Sequence, residues 1–276
     1  MNRAACIPLV CIFLTWQGQS WAQTVYPQAA GAAHQTGTRI AFKEPRPAEI
    51  FKYAPAPFEL KSPPALPPAT PRVIQNGSRQ DRRIALTFDA CATRAPSGYD
   101  EGIIAALVES RTPATLFLGG KWMAEHPEAT RRLAGLAQFE LGNHSFLHPH
   151  LPRLPDDRVR EELGWTQLVM QSLAGRQALL YRAPYVDLDE RVVRLAAEMG
   201  LTAVQGDVAS GDPDPLVDRD RLFKSVVGRA RNGSIIIMHM NGRGHHTAEA
   251  LPDIIAELRR RGFQLVTAGE LIRGLP

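Results

Sequence analysis

From Arg83 onward the chain alternates short apolar runs with amphipathic stretches, and that alternation limits it to few architectures. Residues 84–88, 114–118, 139–142, 179–182, 201–205, 234–239 and 263–266 read as seven strands. Between them, 99–109 carries Ile103, Ile104, Leu107 and Val108 at helical spacing. Residues 127–137 open on Pro127, 156–173 start at Asp156 in a capping position, and 189–199 end at Gly200. Helices are further expected over 219–231, 247–261 and 268–272. Strands alternating with helices imply a parallel sheet with right-handed crossovers. Residues 83–272 are too few for a regular eight-unit barrel of ~250 residues. A small incomplete (β/α) barrel or a doubly wound α/β sheet fits, and both gather chemistry at the C-terminal ends of their strands.

Upstream the composition changes. Of 22 prolines in 276 residues, ten lie between Gln23 and Gln80, with no hydrophobic periodicity around them. Proline removes amide donors and favours extended chain, so 23–81 is expected to be a semi-rigid spacer. Extended chain lining the domain is the alternative. Residues 1–22 read as a secretory signal: Arg3, an apolar run over 4–16, then Ser20-Trp21-Ala22 before the cut. The run is short of the ~20 apolar residues that span a bilayer. Val10 before Cys11 argues against lipid attachment. A secreted or periplasmic domain over 82–274 follows, with Cys91 its single thiol and no internal disulfide. A net charge of +4 is too small to argue for nucleic acid, and 44% hydrophobic residues exclude a disordered or polytopic membrane chain.

Chemistry-bearing residues fall where the strands end. The first strand ends in Thr87-Phe88-Asp89-Ala90-Cys91 and the third leads into His144-Ser145-Phe146-Leu147-His148. The fourth ends in Arg182-Ala183-Pro184-Tyr185, the fifth runs on to Asp207 and Asp212, and the sixth ends at His239. On a helical turn, histidines four apart converge on one borderline-soft cation such as Zn²⁺. An arginine beside Asp89 would hold it ionised as a base. No pattern recruits His150, and His245 and His246 sit in a Gly-rich stretch that reads as a solvated loop. Tyr99, Trp122 and Trp165 could stack on sugar rings, but read first as core.

In this order the segments resemble the polysaccharide deacetylases, the NodB-homology domain of carbohydrate esterase family 4. The family pattern His-Ser-x-x-His is complete at 144–148, and Arg-x-Pro-Tyr is complete at 182–185. Thr-Phe-Asp-Asp-Gly is matched in part at 87–91, Asp-x-x-Asp-Trp only around Asp212, and the closing histidine falls at His239. The resemblance implies a distorted (β/α) barrel of about seven units. It also implies metal-assisted hydrolysis of N-acetyl, or sometimes O-acetyl, groups on a glycan. Carried over, Asp89 is the general base, His239 the general acid and Arg182 the group that orients the base. His144 and His148 hold a divalent metal, expected to be zinc. Tyr185 and Asp212 serve the substrate and the oxyanion, and Ile235 and Ile237 receive the acetyl methyl.

One departure matters most. Ala90 stands where the family places a metal-binding carboxylate. Asp89 could turn to the metal, or Cys91 or Asp207 could complete the site. Alternatively the site is metal-poor and the chain binds glycan without turnover. Hydrolysis of a non-sugar amide on the same scaffold is a third function.

Overall fold

The computed structural model describes residues 42–275. The expected signal, 1–22, lies outside them. Pro47 opens a short helix, α1 (Pro47–Phe51), whose Ile50 is fully buried. After β1 (Val73–Ile74) comes β2 (Arg83–Ala90), buried from its second residue on. A strand covered on both faces needs such a continuous apolar run. Asp100 then caps α2 (Glu101–Glu109), its carboxylate accepting from the Gly102 and Ile103 amides. β3 (Ala114–Leu118) leads directly into α3 (Gly120–Glu125) and α4 (Pro127–Gly135). β4 (Phe139–Asn143), α5 (Asp156–Ala174), β5 (Leu180–Tyr181) and α6 (Glu190–Glu198) follow. The chain ends through β6 (Thr202–Val204), β7 (Val208–Ala209), α7 (Arg219–Arg229), β8 (Ile235–His239), α8 (Thr247–Arg260), β9 (Gln264–Val266) and α9 (Ala268–Ile272).

The strands form one parallel sheet in the order β1-β6-β5-β4-β3-β2-β8-β7, with β9 paired to the start of β2. This is the incomplete barrel expected from the alternation, curled with helices outside. β2 shows the two faces: Ile84, Leu86, Phe88 and Ala90 join the larger apolar cluster, while Ala85 belongs to a second cluster with Phe117, Val204 and Ile235. Asp89 lies on the Ala85 side by the same period of two. The barrel's open side is tied across by backbone. Asn76 bridges to Ser234, and the Gly77 amide donates to the Gly233 carbonyl at 2.8 Å.

The spacer expected over 23–81 does not hold for its described part, 42–81. β1 pairs with β6, Val73 opposite Ala203. Trp165 Nε1 donates to the Lys43 carbonyl at 2.8 Å, and the Ala69 amide donates to the Ala197 carbonyl at 2.8 Å. Phe42, Phe51, Tyr53, Phe58 and Leu60 pack on the larger cluster. These apolar residues have no helical or strand period, because each sits on a different neighbour rather than along one face.

Local differences have equally local reasons. Asp156 is the first residue of α5 and Pro155 is its cap, so the Asp156 carboxylate pairs with Arg191 at 2.7 Å instead. No helix was expected between 118 and 127, where the structure has α3 starting at Gly120 after its cap Gly119. Both are needed small: a Cβ on Gly120 would meet the Phe146 ring at 2.2 Å, and one on Gly119 the Ala90 carbonyl at 3.0 Å.

Candidate active site

Asp89 is the penultimate residue of β2 and His239 closes β8, and the two are register partners on neighbouring strands. Each is backed by a buried group. Arg182, fully buried after β5, donates to Asp89 Oδ1 at 2.6 Å, to the Gln205 carbonyl at 2.6 Å and to the Val204 carbonyl at 3.3 Å. Its guanidinium lies over the Phe117 ring at 4.2 Å. Asp212 accepts from the His239 amide at 2.7 Å and meets His239 Nδ1 at 2.9 Å. Thr247 Oγ1 and Ser210 Oγ donate to the same carboxylate, each at 2.8 Å. Asp212 therefore orients His239, and it also lines the cleft where it was expected to serve the substrate. Since a carboxylate accepts at Nδ1, Nε2 of His239 is left to face the cleft.

The two spaced histidines lie on no helix. Ser145 and His148 both adopt left-handed backbone, φ 58° and 63°, and this tight loop turns the imidazoles toward each other at 4.9 Å between ring centroids. The loop is held from below. The Ser145 amide donates to Asn143 Oδ1, and the Phe146 and Leu147 amides donate to Glu162 Oε2 at 2.8 and 2.7 Å. From the side, the Gly120 and Lys121 amides donate to the Ser145 and Phe146 carbonyls. His144 Nδ1 lies 2.9 Å from the Arg182 carbonyl, which can only accept, so Nε2 turns inward.

Cys91 is also here. Its Sγ lies 3.4 Å from His144 Nε2, and its carbonyl accepts from Asn241 Nδ2 at 2.8 Å. One ligand atom each from Cys91, His144 and His148 lies within 4.8 Å of the others, all three residues buried. Asp89 Oδ2 stands 3.9 Å from His144 Nε2. Asp207 does not reach this cluster. It accepts from the Ile235 amide at 2.8 Å and pairs with Arg79 at 2.7 Å, at the opposite end of β8.

Electrostatics follow from these neighbours. Burial alone would raise the Asp89 pKa, but Arg182, with His144 and His239, holds it below the usual 3.8. Burial would raise the Cys91 thiol too, yet His144, His148 and His239 hold it well below 9.0. Burial would lower His144, whereas Asp89 and Cys91 pull it above 6.5. His239, against the same penalty, is pushed up to about 10, chiefly by its hydrogen bond to Asp212. The cluster thus places negative charge around the imidazoles, where a cation would be held.

These groups line a cleft of about 290 Å³ with Tyr185, Ile237, Pro213 and Arg243 at its walls. Tyr185 is 56% exposed with φ 59°, and stacks on His150 at 4.1 Å, whose Nδ1 meets Asp187 Oδ2 at 2.7 Å. Ile237 borders the cleft, but Ile235 is fully buried deeper in the barrel and cannot receive an acetyl methyl. Trp122 and Trp165 are core. His245 and His246 are exposed, and His246 pairs with Glu249.

Residues 76–204 match the polysaccharide deacetylase family. A chitooligosaccharide deacetylase of Bradyrhizobium sp. is 32% identical over 200 residues, spanning 67% of this chain and 88% of the relative. The chain belongs to the polysaccharide deacetylase family. It is a hydrolase of that family, whose curated relatives include peptidoglycan, chitooligosaccharide and xylan deacetylases. A solved peptidoglycan N-acetylglucosamine deacetylase superposes with a TM-score of 0.68 at 27% identity, over 73% of this chain and 92% of that one. A mutant of a family 4 pseudoenzyme with restored enzymatic activity superposes with a TM-score of 0.65 at 26% identity, over 75% of this chain and 72% of that one. The chain spans only 31% and 38% of two longer curated relatives.

Within this polysaccharide deacetylase the donor set fits a divalent cation. Two imidazoles with inward nitrogens and a thiol, buried and converging, are borderline-soft ligands of the kind zinc takes. Three residues of the site, Glu162, Thr247 and Arg243, escaped the sequence, and a fourth, His150, had no pattern to recruit it. Their signals are lone polar residues in a helix, a loop or a cap, and only the folded chain shows what they touch.

Proposed function

We propose that this chain is a secreted or periplasmic, metal-dependent deacetylase that hydrolyses N-acetyl groups on an amino-sugar polymer. The observation that carries this reading is the register pairing of Asp89 with His239 across one cleft, each fixed by its own buried partner. Asp89, held ionised by Arg182, takes a proton from the water that attacks the acetyl carbonyl. Tyr185 lines the cleft, and its amide would donate to the developing oxyanion. His239, protonated beside Asp212, gives its Nε2 proton to the departing amine, otherwise a poor leaving group. Ile237 receives the methyl. His144 and His148 would hold the ion, with a third donor. When bound, such an ion acidifies a water and polarises the carbonyl.

Relatives named as peptidoglycan and chitooligosaccharide deacetylases support the class of substrate. The residues at 1–22 support export. A second reading, glycan binding without turnover, is favoured by Ala90 alone.

The test is acetate release from peptidoglycan, chitooligosaccharides and acetylated xylan by the zinc-loaded chain. Release that disappears in Asp89→Asn, with the fold intact by circular dichroism, is the expected outcome. Glycan retention with no acetate released would favour the binding reading. Normal turnover in Asp89→Asn would remove that residue from the mechanism.

A further inference from the structure

The reaction above leaves one buried group unused, the Cys91 thiol, and leaves one ligand position unassigned. Ala90 cannot fill it: a methyl offers no donor atom, and the residue belongs to the larger apolar cluster. Asp89 is held elsewhere, one oxygen on Arg182 at 2.6 Å and the other 3.9 Å from His144 Nε2. Asp207 is at the far end of β8. Cys91 lies closer, with Sγ 3.4 Å from His144 Nε2 and its backbone pinned by Asn241 and by the strand before it. Zn–S bonds of about 2.3 Å and Zn–N bonds of about 2.0–2.1 Å at tetrahedral angles set such atoms about 3.5 Å apart. The Cys91–His144 spacing of 3.4 Å agrees with that figure.

We propose that Cys91 is the third metal ligand, its thiolate taking over one residue later in the chain the charge that a carboxylate at position 90 would supply. On binding, the thiol proton leaves to solvent and a Cys-His-His set remains, with one position open for water or substrate. Asp89 is thereby kept free as a base. The consequence is a change in metal class. A thiolate with two imidazoles selects Zn²⁺ or Co²⁺ and disfavours Mg²⁺, Ca²⁺ and Mn²⁺, which take oxygen ligands.

This inference rests on the deacetylase reading for its site, but its test does not use turnover. The full chain is loaded with Co²⁺ and its absorption recorded. The expected result is a near-ultraviolet thiolate-to-cobalt charge-transfer band that disappears in Cys91→Ser. Zinc affinity in that variant falls by more than the roughly 10–100-fold that loss of an outer-shell partner costs. The band in the unaltered chain requires no variant to fold, and unfolding curves verify the fold of Cys91→Ser. Cobalt bound without the band, no cobalt uptake, or unchanged zinc affinity in Cys91→Ser would each overturn the assignment. A band together with no acetate release from any acetylated glycan would leave Cys91 a ligand and sink the deacetylase reading. Acetate release without the band would do the reverse.

Discussion

Arg182 shows why a single side chain decides whether this site works. A guanidinium has donors in a fixed plane, and here they reach one carboxylate and two carbonyls from a fully buried position. Removing it in Arg182→Met leaves Asp89 as a buried charge without its partner. The expected cost is roughly 3–5 kcal/mol of folding free energy, measured by denaturant unfolding, together with near-complete loss of turnover. His239 gives a pH signature. Its pKa is raised from 6.5 to about 10, so the stability it adds with Asp212 is complete below pH 6.5 and is lost as pH rises through about 10. Asp212→Asn should therefore move the alkaline limb of kcat/KM from about pH 10 toward 6.5, while the acid limb stays in place. Identical alkaline limbs in both proteins would separate Asp212 from the acid.

At the scale of elements, the strand ends were legible in the sequence and the loops that aim them were not. Asp89, Arg182 and His239 are fixed by strands whose apolar runs are unmistakable, so their convergence follows from parallel topology. His144 and His148 converge for a different reason, two left-handed residues rather than a helical turn, and no spacing rule distinguishes the two. Glu162 lay unnoticed inside the long amphipathic stretch that becomes α5. Burial raises its pKa, against the Leu147 and Phe146 amides that it accepts. Glu162→Ala orphans the buried Phe146 amide and the part-buried Leu147 amide, and the buried one costs about 1–3 kcal/mol when unsatisfied. It should also weaken zinc binding by roughly 10–100-fold, as loss of an outer-shell partner does. Zinc titration of the folded variant reads this directly; unchanged affinity would show that the loop holds its shape without α5.

Across the whole molecule, composition misplaced the start of the folded domain. Ten prolines suggested a spacer, because proline removes amides that a sheet or helix would use. Yet a chain wrapped over finished helices needs few amides; it needs apolar side chains at irregular intervals, and these are present. Ile50 is fully buried, Phe42 sits against Gly164, and Tyr53 meets the Phe146 ring at 6.0 Å within the loop that carries His144 and His148. Further on, β1 extends the sheet beyond β6, and the residues after it tie across to β8. A chain beginning at residue 82 would lose both contributions. Burial of one large apolar side chain contributes about 1.5–3 kcal/mol, and domains of this size hold only about 5–15 kcal/mol in total. Deleting 42–81 should therefore leave a protein without a cooperative thermal transition. Deleting 42–72 alone, which spares β1, should retain a transition at a lower temperature and bind zinc more weakly. Calorimetry on both truncations, with zinc titration of the second, separates a segment that builds the domain from one that only tethers it. A full-stability transition in the chain starting at 82 would return 42–81 to the role of spacer.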